Sequence, residues 1–163
     1  MTSAVRKTSA GDETNTSIQK HVGGCYCGNV TFDIVLSQPP SAYHPRACDC
    51  DFCRKYGASY LSDPQGCLSV NVEDAASLGR FHQGYEAADF LICRICGVLV
   101  GACYEEGGTL YATINARCLR ETVDFGETVS ASPKKLSKGD RIDRWKQVWF
   151  SNVQITASNS TAC

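Results

Sequence analysis

Residues 25–36 read Cys25-Tyr26-Cys27-Gly28-Asn29-Val30-Thr31-Phe32-Asp33-Ile34-Val35-Leu36. Val30, Phe32, Ile34 and Leu36 fall on one face, with Thr31 and Asp33 on the other, which is the period-two pattern of a strand buried on one side. The spacing predicts a strand over 28–36. Just before it, two cysteines flank a single residue and a glycine follows, a sequence suited to a tight turn that presents two thiols together. Outward from this stretch, short strand-like segments recur at 67–72, 88–92, 98–104, 109–114 and 147–151, most of them bounded by Gly, Pro, Asn or Ser. Only 51–57 and 73–79 have a helical look. Strands of this length at this spacing predict an all-β fold, a small sandwich or open barrel of short antiparallel strands with one or two short helices.

The chain has 163 residues, 43% of them hydrophobic and 20% charged, which fits one soluble domain. Residues 1–20 and 156–163 carry Thr, Ser and Asn without apolar periodicity and are expected to be flexible tails around a single domain at 21–155. The first twenty residues contain no apolar core of a secretory signal, and no run of apolar residues is long enough to span a membrane. A cytoplasmic or nuclear location with reduced thiols is therefore expected. Sixteen basic residues against seventeen acidic ones argue against a protein devoted to neutralising phosphates.

Eleven cysteines are far more than such a chain ordinarily carries, and an odd number leaves one unpaired in any intramolecular disulfide scheme. Seven of them fall in three groups: Cys25 and Cys27; Cys48, Cys50 and Cys53; Cys93 and Cys96. Close pairs suit a metal ion because one turn offers two thiolates to it, and zinc is favoured over an iron–sulfur cluster. The seven divide as four and three. Cys25, Cys27, Cys93 and Cys96 make a closed, structural set. Cys48, Cys50 and Cys53 leave a fourth position open, as a catalytic ion requires. The other arrangement, with Cys53 as a spare thiol, strands Cys48 and Cys50 without two partners. Two divalent ions on seven thiolates make the formal charge −4 in place of −1, which further disfavours nucleic acid as a partner.

The segments GGCYCGNVTF, CDCDFCRKYGAS and CRICG, in that order, resemble the signatures of the glutathione-dependent formaldehyde-activating enzyme family, also called the centromere protein V/Gfa family. The likeness runs from about Gly23 to Tyr104, with weaker support to Trp145. It implies the zinc-bound β-tent fold, a structural zinc on Cys25, Cys27, Cys93 and Cys96, and a second zinc on Cys48, Cys50 and Cys53. It also implies carbon–sulfur lyase chemistry on a glutathione-like thiol adduct. Asp49 stands where the family usually has His, and Ala58 where it has Gly. As Asp49 lies between ligands and is expected to point away from the ion, the departure touches the surroundings of the site more than its ligands.

Arg54, Lys55 and Tyr56 directly follow Cys53 and are candidate substrate-binding residues, since cations beside thiolates favour ionisation and could hold a carboxylate. His44, four residues before Cys48, is a candidate fourth ligand set against an ordinary loop histidine. His21 and His82 have no constellation around them. Cys67 and Cys103 are expected as buried small hydrophobes. Cys118 is a further candidate for the cleft, and Cys163 a tail thiol. The basic run from Lys134 to Lys146 is expected as a solvated loop, with Trp145, Trp149 and Phe150 packing a last strand. The functional expectation is a zinc-dependent lyase-type enzyme acting on a small-molecule thiol adduct, with a homodimer compatible with it. The alternatives are a zinc-stabilised module that binds protein or nucleic acid, and a redox sensor.

Overall fold

The computed structural model describes residues 19–158, so most of both expected tails, and Cys163, lie outside the described residues. Among the described residues, eleven strands form two mixed sheets. The smaller sheet contains β1 (Lys20–Gly24), β2 (Val30–Val35), β5 (Cys67–Val72) and β11 (Asn152–Ala157) in the order β1-β2-β5-β11. The larger contains β3 (Arg46–Cys48), β4 (Ser59–Leu61), β6 (Leu78–Phe81), β7 (Asp89–Cys93), β8 (Leu99–Glu106), β9 (Thr109–Asn115) and β10 (Val129–Ala131). Its order is β10-β3-β4-β9-β8-β7-β6. Two α-helices accompany them, α1 (Asp51–Tyr56) and α2 (Lys138–Val148). The pairing is antiparallel except at β10–β3 and β11–β5, which are parallel. The mostly-β expectation therefore holds, with both sheets mixed.

The alternation read from residues 30–36 decides how the sheets meet. Val30, Phe32 and Ile34 of β2 pair in register with Val72, Val70 and Leu68 of β5, so all six point the same way. They join Leu91, Val100 and Ile114 of the larger sheet in one buried apolar cluster. Each fully buried side chain of this size contributes about 1.5–3 kcal/mol of burial free energy, so this seam dominates the stability of the fold. The larger sheet is buried on its other face too. Phe90, Leu99 and Ala102 point away from the smaller sheet and pack with Cys50, Cys53 and Trp149 in a second cluster. A central sheet covered on both sides explains why 98–104 reads as a nearly continuous apolar run.

Four expectations need correction. Residues 138–148 form helix α2 where the basic run suggested a loop, and the strand expected at 147–151 is the end of that helix followed by a single bridge from Phe150 to Ala112. The physical reason is a cap: Ser137 Oγ accepts from Asp140 N at 3.1 Å and donates to Asp140 Oδ2 at 2.7 Å, a reciprocal closure of the first turn. Trp145 then stacks on Trp149 four positions later, with centroids 4.9 Å apart. The segment 73–79 gives only a 3-10 turn at Ala75–Ser77 before β6. The first and last strands reach Lys20 and Ala157, slightly into the segments expected as tails.

Candidate metal centre

Cys25 and Cys27 sit on the β1–β2 turn, and Cys93 and Cys96 on the β7–β8 turn, so the four sulfurs meet where one sheet faces the other. Both turns need a left-handed residue after the second cysteine: Gly28 has φ +86° and Gly97 φ +75°. The Sγ atoms are 3.6 Å apart between Cys25 and Cys27 and 3.5 Å between Cys27 and Cys93, and all four lie within 4.8 Å of one another. A tetrahedral ion with Zn–S bonds of about 2.3 Å sets its sulfurs roughly 3.8 Å apart, so the set fits zinc without rearrangement. Val30 N donates to Cys25 Sγ at 3.2 Å. Burial pushes the Cys93 thiol up to about 12. Burial also acts to raise Cys96, but the N–H groups of Cys27 and Val98 and the neighbouring thiols outweigh it and bring Cys96 down to about 6.

The second cluster is local. Cys48 ends β3, Cys50 is the N-cap of α1 and Cys53 lies in its first turn, with Cys50 Sγ accepting from Cys53 N at 3.4 Å. Their three sulfurs also lie within 4.8 Å of one another. Cys53 Sγ is 3.2 Å from Tyr60 Oη, and Gln83 Nε2 is 3.8 Å from Cys50 Sγ. Cys48 is held down at about 6, chiefly by the Cys53 thiol hydrogen-bonded to it and also by the Cys50 N–H, against the opposing effect of burial. Cys53 moves up for the same reason, since its proton serves the Cys48 thiolate. Tyr60 also moves up, chiefly through burial and then because the neighbouring cysteine trio, which shares a negative charge, opposes a phenolate. Without an ion, the trio thus holds one ready thiolate beside a phenol that keeps its proton.

The three sulfurs open onto a cavity of about 170 Å³ between the larger sheet and α2. Phe90, Trp145 and Trp149 give it apolar walls, while Arg46, Lys134, Arg141 and Arg144 bring four cations to it. Its lining includes no carboxylate. Arg46, two residues before Cys48, is pushed down to about 10 by burial and by the like charge of Arg144. Its guanidinium bonds Ser62 Oγ, which in turn donates to the Val148 carbonyl and so ties β3 to α2.

Sequence reasoning grouped the seven cysteines as the structure does, and the set with Cys53 as a spare thiol is not what forms. Asp49 points away from the cysteine trio, accepting from Ser132 Oγ at 2.6 Å and pairing with Lys134 Nζ at 3.4 Å. Other candidates are not brought to the site. His44 bonds the Glu127 carbonyl at 2.9 Å, His21 pairs with Glu121 and His82 with Asp89. Arg54, Lys55 and Tyr56 are exposed on α1 and do not line the cavity, because Cys53 occupies the one buried position of that short helix. Cys103 is buried as expected, but Cys67 is exposed: in β5 the alternation turns Leu68, Val70 and Val72 inward and Cys67 outward. Cys118 is buried with its thiol 3.4 Å from the Leu99 carbonyl and belongs to the core cluster. Arg46, Tyr60, Gln83, Arg141 and Arg144 were missed. The pattern Ser-x-x-Asp at 137–140 is the signal that could have placed the last two on a helix.

No family model matches the chain. A crystal structure of a Rhodobacter sphaeroides protein, determined as a structural-genomics target, is similar to it, with 25% identity and a TM-score of 0.52 over 68% of this chain and 99% of that one. The likeness supports the β architecture and brings no activity with it. Taken with the geometry, the chain is a mostly-β protein with two cysteine clusters, each able to hold a metal ion such as zinc.

Proposed function

We propose that the chain is a zinc-dependent carbon–sulfur lyase-type enzyme, related to the glutathione-dependent formaldehyde-activating and centromere protein V proteins whose motifs it resembles. It makes or breaks the bond between a thiol sulfur and a carbonyl carbon, the thiol proton passing to the carbonyl oxygen as the bond forms. The observation that carries this reading is the contrast between a closed set of four cysteines and a set of three that opens onto a cavity.

In this reading Cys48, Cys50 and Cys53 hold an ion that, when bound, supplies Lewis-acid polarisation of an oxygen or stabilises a thiolate. With the ion bound Cys53 would be a thiolate, and the Tyr60 hydroxyl 3.2 Å away would donate to it and limit the negative charge on that sulfur. Trp145, Trp149 and Phe90 exclude water from one side of the reacting atoms, which strengthens the electrostatics there. Helix α2 turns Arg141 and Arg144 to the cavity, while Lys146 pairs with Glu106 and Asp143 and Lys134 with Asp49. This use of the basic run favours a small-molecule partner over nucleic acid.

The test is metal content by mass spectrometry together with adduct formation from glutathione and formaldehyde followed by NMR. Two zinc ions per chain and a turnover that disappears in Cys48→Ser are expected. One ion per chain, or unchanged turnover in that variant, would overturn the reading.

A further inference from the structure

The cavity combines features that the proposed chemistry alone does not require. Four cations face it and no carboxylate does. Lys134 is neutralised by Asp49, but among the described residues Arg46, Arg141 and Arg144 have no acidic partner. Arg141 is held by stacking over Tyr85, 4.8 Å from the ring centroid, so its position does not depend on an anion. A divalent ion on three thiolates carries a single net negative charge, which leaves two of the three guanidinium charges unbalanced. Like charges gathered at a partly buried surface are unfavourable until an anion joins them, and a ligand thiolate supplies only one. One more negative group is needed, and guanidinium forks match a carboxylate.

Resting on the reading that a ligand sulfur enters this cavity, we infer that Arg46, Arg141 and Arg144 form a carboxylate-binding wall that selects a thiol carrying an acid group on a short arm. The sulfur lies toward Cys48, Cys50 and Cys53, and the acid toward α2. The cavity of about 170 Å³ is partly open, so it suits a compact mercapto-acid and, for a longer thiol, its sulfur and one acid arm.

The experiment loads the full chain with Co²⁺ and compares 3-mercaptopropionate, its methyl ester and propionate. The thiolate-to-cobalt absorption reports sulfur entry, and calorimetry reports affinity. The acid thiol is expected to bind about tenfold or more tightly than the ester, with the ratio falling to within about threefold in Arg144→Gln, an exposed position that leaves the fold intact. Arg46→Gln serves as a second variant, its fold checked by circular dichroism. If the acid and its ester perturb the cobalt spectrum at equal concentration, the wall is overturned while sulfur entry stands. If neither thiol alters the spectrum, sulfur entry falls. Propionate calorimetry then decides the wall: binding that Arg144→Gln abolishes supports it, and no binding overturns it.

Discussion

The two cysteine clusters use one kind of side chain on opposite kinds of support. The four-cysteine set draws on two turns whose cysteines lie at least 66 residues apart in sequence, one turn from each sheet. The three-cysteine set comes from one strand–helix junction. An ion on the first ties together sheets that are otherwise joined by their apolar seam, whereas an ion on the second closes a loop the chain would close cheaply by itself. On the proposed reading, an ion on the remote set would stabilise the fold, and one on the local set would be free to leave one side facing the cavity.

The most severe way to test that contrast is to cut each set once. Cys93→Ala removes a fully buried sulfur that packs in the core and belongs to the four-cysteine cluster able to hold a metal ion. A loss of more than about 5 kcal/mol, enough to abolish a cooperative melt at 37 °C, is expected from thermal unfolding followed by circular dichroism. A melting temperature within a few degrees of the parent would break the comparison. Cys48→Ser is expected to keep a cooperative melt within about 1–2 kcal/mol of the parent. Its zinc content falls to one per chain and its turnover to background.

The grouping of the cysteines into four and three was legible in the sequence to the extent that it depends on local spacing. Cysteines two and three residues apart, each pair followed by glycine, fix the turns whatever the rest of the chain does, and the alternation over 30–36 fixes which face of β2 is buried. What spacing cannot convey is which distant surface closes over a site. Arg46 precedes Cys48 by two residues, yet nothing local shows that Arg144 will stand beside it, because that depends on α2 folding back across the larger sheet. Arg54 and Lys55 invited the opposite error. They are next to Cys53 in sequence, and a helical rotation of about 100° per residue carries them away from the cavity that Cys53 faces.

A milder perturbation sharpens the difference between the clusters without cutting either. Tyr60→Phe removes the hydroxyl 3.2 Å from Cys53 Sγ and leaves the four-cysteine set untouched. Zinc affinity at the second site is expected to fall about 10–100-fold in chelator competition, with the first site unchanged. Equal weakening of both sites would mean that Tyr60 acts through the fold.

Protonation does not separate the two sites, since Cys96 of the first and Cys48 of the second are both brought down to about 6, but it tests how the second is filled. Cys48 has its thiol lowered from the ordinary 9.0 to about 6, so the folded chain favours the thiolate. That contribution to stability is fully present above the unfolded value and is lost as pH falls through about 6. At pH 7.5 the metal-free trio already holds one thiolate. Filling this site is therefore expected to release about two protons per ion, as measured by calorimetry in buffers of different ionisation enthalpy. Release of three would show that Cys48 is protonated there.

The smallest expected effect separates nearness in sequence from nearness in space. Arg54 and Lys55 are exposed and line an open surface depression with Asp51, apart from the cavity that Cys53 lines. Their charge reaches the cavity through water, where screening over about 8–10 Å removes most of it. The double variant Arg54→Ala, Lys55→Ala is thus expected to keep kcat/KM within about twofold of the parent. Arg141 is the informative control, because it lies far from the cysteines in sequence but on the cavity wall. Arg141→Gln is expected to raise KM for an acidic thiol while leaving kcat near the parent value, since a carboxylate remote from the reacting sulfur contributes binding equally before and during the reaction. If the double variant lost more than Arg141→Gln, the substrate would approach from the α1 side, and the cavity under α2 would not be its seat.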